Sequence, residues 1–165
     1  MTAVLAPALK RLDIHAARED DLAAALALVE HEKEKNRWIE RTAEFLVSAV
    51  AKPDGEYRAL VAERDGEIVG LAAYGMVAGT VGTGMIYSIL VGPRSRRAGI
   101  GERLLFHLKG DLASAGARMI VAEIPGDAVV MRFRALLLTH GFVEESRIED
   151  YYSDGLSQII SVFDM

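Results

Sequence analysis

The chain has 165 residues, of which 51% are hydrophobic, and its formal net charge is -5. This length suits one domain with one core, spanning residues 1–165, and the apolar fraction argues against disorder. The absence of cysteine excludes disulfides and thiolate metal sites, and the acidic balance argues against general nucleic-acid binding.

The first residues, MTAVLAPALKRLDIH, lack the basic start and the long apolar core of a signal peptide. No uninterrupted apolar stretch reaches the ~18 residues that a membrane span needs. We therefore expect a soluble, cytoplasmic protein without a membrane partner.

The N-terminal third predicts one strand and two helices. LDIHAA is a short strand, and Asp20 or Asp21 can cap a helix that carries Leu22, Leu26 and Val29 on one face. We expect EHEKEKNRW to continue this helix as a charged, solvated end. ERTAEFLVSAV predicts a second helix, which ends at AKPDGE.

The middle of the chain predicts strands. Asp65-Gly66, a dipeptide favoured in tight two-residue turns, separates two apolar runs and predicts a hairpin. The glycine-rich VAGTVGTG predicts a second turn. MIYSILV then predicts a strand buried on both faces, because it is apolar nearly throughout.

Helical spacing begins at Ile100 and places Leu104, Leu105, Leu108 and Leu112 on one face. RMIVAEI predicts a strand, and AVVMRFRALLLTH predicts a helix that ends at Gly141, followed by two closing strands. The resulting order, β-α-α-β-β-β-α-β-α-β-β, is typical of an α/β or α+β domain with helices against a mixed sheet.

The stretch LVGPRSRRAGIGERLLFHL joins a strand to a helix through arginines and glycines. A helix N-terminus offers unpaired N–H groups and a partial positive charge, and both favour phosphate. Gly99 and Gly101 let an anion approach the backbone, while Arg96 and Arg97 can add charge-assisted hydrogen bonds. This pattern predicts a pyrophosphate cradle.

A nicotinamide-dependent oxidoreductase is one alternative, because Gly99-x-Gly101 and Glu123 partly match the dinucleotide-binding fingerprint. The match is incomplete. Leu104 stands where the third glycine belongs, and the stretch from Gly92 to Ala98 is too long for the tight turn of that fold.

The residues Val91, Pro93, Arg96, Gly99 and Gly101 resemble motif A of the GNAT acetyltransferase superfamily, and the element order resembles that fold over nearly the whole chain. The resemblance implies a mixed central sheet of about six to seven strands flanked by about four helices. It implies acetyl-CoA as the acetyl donor, without a metal. The reaction implied is direct transfer to a primary amine of a small molecule, a peptide or a protein.

The resemblance also assigns the cofactor site to two neighbouring segments. Backbone N–H groups of the turn would hold the pyrophosphate, at Arg96, Arg97, Ala98, Gly99, Ile100 and Gly101. The preceding strand would bind the pantetheine arm and polarise the thioester carbonyl through a backbone N–H, at Ile89, Leu90 and Val91. A bulge there would splay this strand from its neighbour.

Glu123 and Tyr152 are the candidate catalytic residues. An alkylammonium has a pKa near ~10.4, so a base must take its proton, and Glu123 follows an apolar strand where it can do so. An ordinary surface glutamate is the alternative. Tyr152 can protonate the leaving thiolate, a role open because Leu137 stands where many family members carry tyrosine.

Tyr151, Asp150 and Trp38 are candidate contacts for the acceptor. Alternation along a strand places Tyr151 and Tyr152 on opposite faces, so only one can face the cleft. Asp150 can bind a cationic acceptor or be solvated, and Trp38 can line the acceptor site or anchor packing.

Three further points complete the expectations. The four histidines show no metal-ligand spacing, so we expect no metal site. Leu137 also motivates a non-catalytic acetyl-CoA-binding sensor or interaction module of the same fold. The closing strand IISVF can pair across chains in a homodimer or lie inside the sheet.

Overall fold

The structure, a computed structural model, describes residues 11–165, so the expectation about a signal peptide falls largely outside the described residues. The described chain forms seven strands and four α-helices in the predicted order. They are β1 (Leu12–Ala16), α1 (Glu19–Lys33), α2 (Thr42–Ala51), β2 (Tyr57–Arg64), β3 (Glu67–Met76), β4 (Thr83–Val91), α3 (Ile100–Ser114), β5 (Met119–Pro125), α4 (Met131–Thr139), β6 (Val143–Ser153) and β7 (Leu156–Asp164). None of these helices combines the length and apolar character that crossing a membrane requires.

All seven strands join one sheet in the order β1-β2-β3-β4-β5-β7-β6. Only β4 and β5 run parallel, and every other neighbouring pair is antiparallel. This arrangement confirms the predicted mixed sheet with four helices. The β7 strand, which contains IISVF, lies inside the sheet between β5 and β6.

Two apolar clusters cover the two faces of the sheet. One cluster contains the buried leucines of α3 and a residue of α4, packed on alternate residues of the central strands. The other contains the buried residues of α1 and α2, packed on the intervening residues. The predicted apolar face of α3 is confirmed, because Leu104, Leu105, Leu108 and Leu112 are all buried.

The predicted hairpin between β2 and β3 is confirmed. Asp65 and Gly66 connect the strands, with φ angles of 56° and 81°. Positive φ at both central residues matches the twist of the flanking strands, which explains the preference for Asp-Gly at this turn.

A β-bulge interrupts β4 at Tyr87. Ile86 pairs with Tyr74 of β3, and Ser88 pairs with Ala73, so Tyr87 has no partner residue. The bulge reverses the facing of the strand: Ile86 belongs to the cluster under α3, whereas Leu90, four residues later, belongs to the cluster under α1 and α2. The expected burial of β4 on both faces is confirmed in part: Leu90 is buried under α1 and α2, whereas Ile89 and Val91 are half-buried against the cluster under α3.

The start of α1 also differs from the prediction. The helix begins at Glu19, and neither Asp20 nor Asp21 occupies the cap position. Instead, the Asp21 carboxylate reaches back to accept a hydrogen bond of 2.9 Å from the Arg18 backbone N–H. The acidic residues still favour the first turn, where the helix dipole is positive.

The sequence pattern predicted a charged, solvated end of α1. The structure shows that this end is not uniformly solvated. Glu32 is only 3% exposed and belongs to the helix. Burial of a lone glutamate is rare unless a cation pairs with it, and that cation comes from a distant part of the chain.

Gly75 in β3 and Gly110 in α3 should respond oppositely to alanine. A Cβ at Gly75 would lie 1.9 Å from the Glu56 carbonyl oxygen, whereas a Cβ at Gly110, within α3, would meet no heavy atom within 4 Å. We expect Gly75→Ala to lower the free energy of unfolding by about 1–3 kcal/mol through overpacking. Gly110→Ala should raise it by about 0.5–1 kcal/mol, because alanine suits a helix better. Urea denaturation measures both; equal effects would contradict the packing of β3.

Candidate functional site

The parallel pair β4–β5 opens into a gap beside the bulge. The strands pair only between Thr83–Ile86 and Met119–Ala122. Beyond Ile86, β4 still pairs with β3 on its other side as far as Val91. The backbone groups of this segment that face β5 therefore have no strand partner, and an extended ligand chain can hydrogen-bond to them.

The arginine-glycine turn lies just beyond this free segment, where α3 begins. Among residues 11–165, no group accepts a hydrogen bond from the backbone N–H of residues 96 to 102, and the first helical donor is Arg103, which bonds to Gly99. A run of free N–H groups at the positive end of a helix is the donor set that an anion needs.

The backbone conformation of the turn brings these N–H groups together. Arg97 has a φ of 63°, and Gly99 has a φ of 71° with no heavy atom near the position of a Cβ. Left-handed residues alternating with right-handed ones form concave nests of N–H groups that bind anions. Gly99 adopts this conformation freely, whereas Arg97 pays ~1–2 kcal/mol for it. The turn therefore fits a pyrophosphate.

The Arg96 side chain does not add to the rim of this turn, as the sequence suggested. Its guanidinium lies 2.6 Å from Oε2 of the buried Glu32 and also donates to the Val91 carbonyl oxygen at 3.2 Å. The arginine therefore ties the turn to α1 and to the end of β4. Of the predicted contributions of Arg96, the structure leaves its backbone N–H available.

A cavity of about 150 Å³ lies at the other end of the free β4 segment. Its lining is mostly apolar or aromatic and is built from β4, β5, β6, α4 and the connections between helices. The lining residues are Asn36, Trp38, Ile39, Tyr87, Ser88, Ile89, Glu123, Pro125, Val130, Phe133 and Tyr152. Glu123 is the one charged residue among them, so the cavity suits an amine with an apolar body.

Glu123 and Tyr152 meet in this cavity through a third residue. The buried Gln158 donates from Nε2 to Oε2 of Glu123 at 3.2 Å. Burial raises the pKa of Tyr152, and its hydrogen bond with Gln158 partly offsets this effect. The nearby Glu123 carboxylate raises that pKa further, so the phenol keeps its proton through the neutral range.

Near the bulge at Tyr87, two consecutive side chains of β4 contact α2. The Tyr87 ring stacks on Phe45 of α2, with ring centroids 4.3 Å apart. The Ser88 hydroxyl accepts a hydrogen bond of 3.1 Å from Thr42, also in α2. Burial raises the pKa of Tyr87, so this phenol is also neutral. Both side chains are held by packing before any ligand binds.

Trp38 forms a roof over the cavity. It lies in a short 3-10 helix between α1 and α2, and its indole N–H donates to Oδ2 of Asp127, in the connection after β5, at 2.9 Å. The Trp38 ring also lies 4.7 Å from the Tyr152 ring. The hydrogen bonds from Val129 and Trp38 lower the pKa of Asp127, so the carboxylate that accepts the Trp38 hydrogen bond is charged at neutral pH.

Tyr152 faces the cavity, but residues 151 and 152 do not follow the regular alternation of a strand that the sequence pattern predicted. Residues 149 to 152 bulge out of β6 because Ile148 pairs with Gln158 and Ser153 with Leu156. Tyr151 lies outside the cavity lining, 53% exposed, with its ring 4.8 Å from that of Tyr152. The rings contact each other, which a regular strand would prevent.

Asp150 also lies outside the cavity lining. Its φ is 55°, and its carboxylate accepts a hydrogen bond of 2.7 Å from the Gly155 N–H. This bond closes the hairpin between β6 and β7. The physical role of Asp150 is therefore in the turn, where short polar side chains satisfy backbone donors.

Several residues of the site gave no clear signal in the sequence. Gln158 stands in an apolar closing strand, and a polar residue there is the one hint that the pattern offers. Asp127 and Thr42 act through partners 89 and 46 residues away in the chain. Spacing along a sequence carries no information on such pairs.

A set of ligand-type atoms exists elsewhere, although the histidine spacing predicted none. His15, Asp21 and Glu63 place ligand-type atoms within 4.8 Å of one another, at the β1 edge of the sheet. The Arg18 guanidinium lies 3.2 Å from His15 Nε2 and 3.6 Å from Asp21. A protein cation thus already pairs with the Asp21 carboxylate of this set.

Solved structures share this architecture. A GNAT-family acetyltransferase from Desulfovibrio desulfuricans superposes with a TM-score of 0.84 at 23% identity, over 93% of this chain and 99% of that one. A ribosomal-protein-alanine N-acetyltransferase from Brucella melitensis gives 0.76 at 26% identity, over 93% and 99%. A Salmonella typhimurium protein named as an acetyltransferase, solved with its cofactor acetyl-CoA, gives 0.78 at 22%, over 93% and 94%.

Solved acetyltransferases thus share the fold in which this β4–β5 gap lies. The model of the acetyltransferase (GNAT) family matches residues 14–133. This chain belongs to that family, which uses acetyl-CoA, and the free N–H groups of residues 96 to 102 fit its pyrophosphate.

The ion pair with the buried Glu32 makes Arg96 important for folding. We expect Arg96→Ala to lower the free energy of unfolding by about 1–3 kcal/mol, because it leaves the Glu32 carboxylate buried without its cation. Arg94→Ala is the matched control, since Arg94 is exposed in the same connection and, unlike Arg96, has no described ion pair with a buried carboxylate; it should change stability by less than about 0.5 kcal/mol. Thermal denaturation of both variants measures the difference, and equal melting temperatures would contradict the burial of the Glu32 side chain.

Proposed function

We propose that the protein transfers the acetyl group of acetyl-CoA directly to the primary amine of a small molecule. One observation carries the proposal: the free segment of β4 joins a cradle of unpaired N–H groups to a cavity that holds Glu123 and Tyr152. Acetyl-CoA supplies the acetyl group as a reactive thioester.

The proposed cofactor contacts use backbone atoms. N–H groups from Arg96 to Gly101 bind the pyrophosphate, and the free edge of Ile89, Leu90 and Val91 binds the pantetheine arm. A backbone N–H on that edge polarises the thioester carbonyl. Its position is set by the sheet before the reaction begins, so little reorganisation is needed when charge develops on the oxygen.

Glu123 is the proposed base. The acceptor arrives mainly as an ammonium ion, which has no free electron pair, and Glu123 is the one carboxylate in the cavity lining. Gln158 holds one of its oxygens and leaves the other for the substrate. The carboxylate takes one proton from the ammonium ion directly or through one water, and the neutral nitrogen then bonds to the acetyl carbon as the carbon–sulfur bond breaks. The nitrogen loses its second proton to solvent as the amide forms.

Tyr152 is the proposed source of the proton for the leaving thiolate. Leu137 is completely buried in the core under α4 and offers no proton at the position where many family members carry a tyrosine. Tyr152 is protonated at neutral pH because burial raises its pKa. It lies in the same cavity as Glu123, so acid and base come from β6 and β5.

The roof formed by Trp38 favours a small acceptor. Trp38 contacts both Asp127 and Tyr152, and the cavity that it lines has a volume of about 150 Å³. A peptide acceptor would need an open path from this cavity for the chain attached to its amine. The peptide or protein acceptor is the second candidate, because the Brucella melitensis neighbour is named for a protein acceptor.

A non-catalytic acetyl-CoA-binding module of the same fold is the alternative from a different functional class. It shares the cradle but makes no use of Glu123 or Tyr152. A homodimer and a cytoplasmic location also stay predictions of the sequence.

The catalytic proposal predicts that Glu123→Gln lowers kcat about 100-fold or more, the contribution of a general base, while the affinity for acetyl-CoA stays within about twofold. Release of CoA is followed with a thiol reagent, which is straightforward because the protein has no cysteine. Glu145→Gln, at an exposed position of β6, is the matched control and should keep full turnover.

Calorimetric titration with acetyl-CoA, and with NADH as a control, accompanies these assays. Binding of acetyl-CoA without amine-dependent turnover in the wild type would favour the non-catalytic module. Binding of NADH instead of acetyl-CoA would reject the acetyltransferase proposal.

The acceptor proposal predicts a preference in kcat/KM of at least about tenfold for small apolar primary amines over a peptide with a free N-terminal alanine. Trp38→Ala should reduce this preference, because it removes the roof and widens the mouth. Phe106→Ala, at an exposed position of α3, is the control and should leave it intact. A wild-type protein that prefers the peptide would transfer the assignment to a protein acceptor.

A further inference from the structure

The ion pair between Glu32 and Arg96 requires the Glu32 carboxylate to be removed from water. A contribution to folding stability alone does not explain why the chain has this pair. The Glu32 side chain is only 5% exposed, and Arg96 occupies one of its two oxygens. The other oxygen, Oε1, has no hydrogen-bond partner within the described residues, and Nε2 of the His31 ring lies 3.9 Å from it. The Arg96 side chain is 37% exposed, so the desolvation cost falls on the Glu32 carboxylate. Well-packed apolar side chains often replace ion pairs that carry such a cost without loss of stability.

The pair acts at a specific place in the cradle. Arg96 immediately precedes Arg97, whose φ of 63° is unfavourable for a residue with a side chain. Strained conformations persist only where the surroundings determine them by other contacts. Arg96 has two such contacts, to Glu32 and to the Val91 carbonyl oxygen, and they hold its guanidinium from both α1 and β4.

We propose that Glu32 is a positioning residue for the pyrophosphate cradle. Through Arg96 it holds Arg97 in the left-handed conformation, and this conformation points the N–H groups of the turn toward one centre. The inference rests on the proposed function, because it assumes that the cradle binds the pyrophosphate of acetyl-CoA.

Glu32 also contacts the connection between α1 and α2, which lines the cavity. Its backbone carbonyl accepts hydrogen bonds of 3.0 Å from Lys35 and from Asn36, a lining residue of the cavity. One residue of α1 thus supports both the turn that binds the donor and the segment that leads to Trp38.

The test is a mutant cycle with acetyl-CoA as the titrant in calorimetry. Glu32→Gln keeps the shape of the side chain and removes its charge, and it should weaken acetyl-CoA binding about tenfold, the size expected when a strained turn loses its support. The same change should leave the kcat/KM for S-acetylpantetheine, which lacks the pyrophosphate, within about twofold.

The decisive comparison uses Arg97 in two neutral forms. Glycine adopts positive φ without strain, whereas alanine does not, and neither carries the arginine charge. Glu32→Gln should therefore still weaken binding about tenfold in the Arg97→Ala background and by less than about twofold in the Arg97→Gly background. An equal effect in the two backgrounds would show that Glu32 has a general structural role and would overturn the proposal.

Two further outcomes separate the inference from its premise. If the wild type does not bind acetyl-CoA, the proposed function fails. If the wild type binds acetyl-CoA and Glu32→Gln binds it equally well or more tightly, the positioning role is wrong. The Arg96 guanidinium, released from Glu32, would then contribute more to affinity by contacting the phosphate than by contacting α1. If Glu32→Gln does not fold, Glu32→Met with Arg96→Met removes both charges at once. That double variant should fold and still bind about tenfold more weakly; full affinity would overturn the inference.

Discussion

The functional architecture depends on the single bulge in β4. By inserting Tyr87 opposite no partner, the strand turns its later residues to the other face and away from β5. The parallel pairing then ends, and the gap that results exposes backbone groups that a regular sheet would satisfy. Every element of the proposed site lies along this gap, from the α3 turn to the cavity under Trp38.

The two ends of the gap are built on different physical principles. The cradle uses backbone N–H groups, a helix dipole and left-handed residues, and its charged side chain is turned away toward Glu32. The cavity uses side chains, with a carboxylate, a phenol and an amide joined by hydrogen bonds inside an apolar wall. Backbone donors suit a ligand part common to the family, whereas side chains can differ between acceptors.

Much of the fold was predictable because its signals are local. The Asp65-Gly66 turn, the leucine face of α3 and the end of α4 at Gly141 each depend on a few adjacent residues, and Gly141 has the positive φ expected after a helix. The prediction for Glu32 is wrong because its environment is distant in sequence. Glu32 reads as a solvated charge in its own helix, and only Arg96, 64 residues later, explains its burial.

The amino-acid sequence was sufficient to predict the order of the elements, the arginine-glycine turn before α3 and the family, since periodicity, turn residues and the arginine-glycine motif are properties of short segments. The tertiary structure alone decided which side chains share the cavity. Tyr152 rather than Tyr151 faces Glu123 because residues 149 to 152 bulge from β6, and Gln158 joins the two residues across β7. Such contacts depend on register and on the meeting of distant strands, and both follow from the packing of the whole sheet.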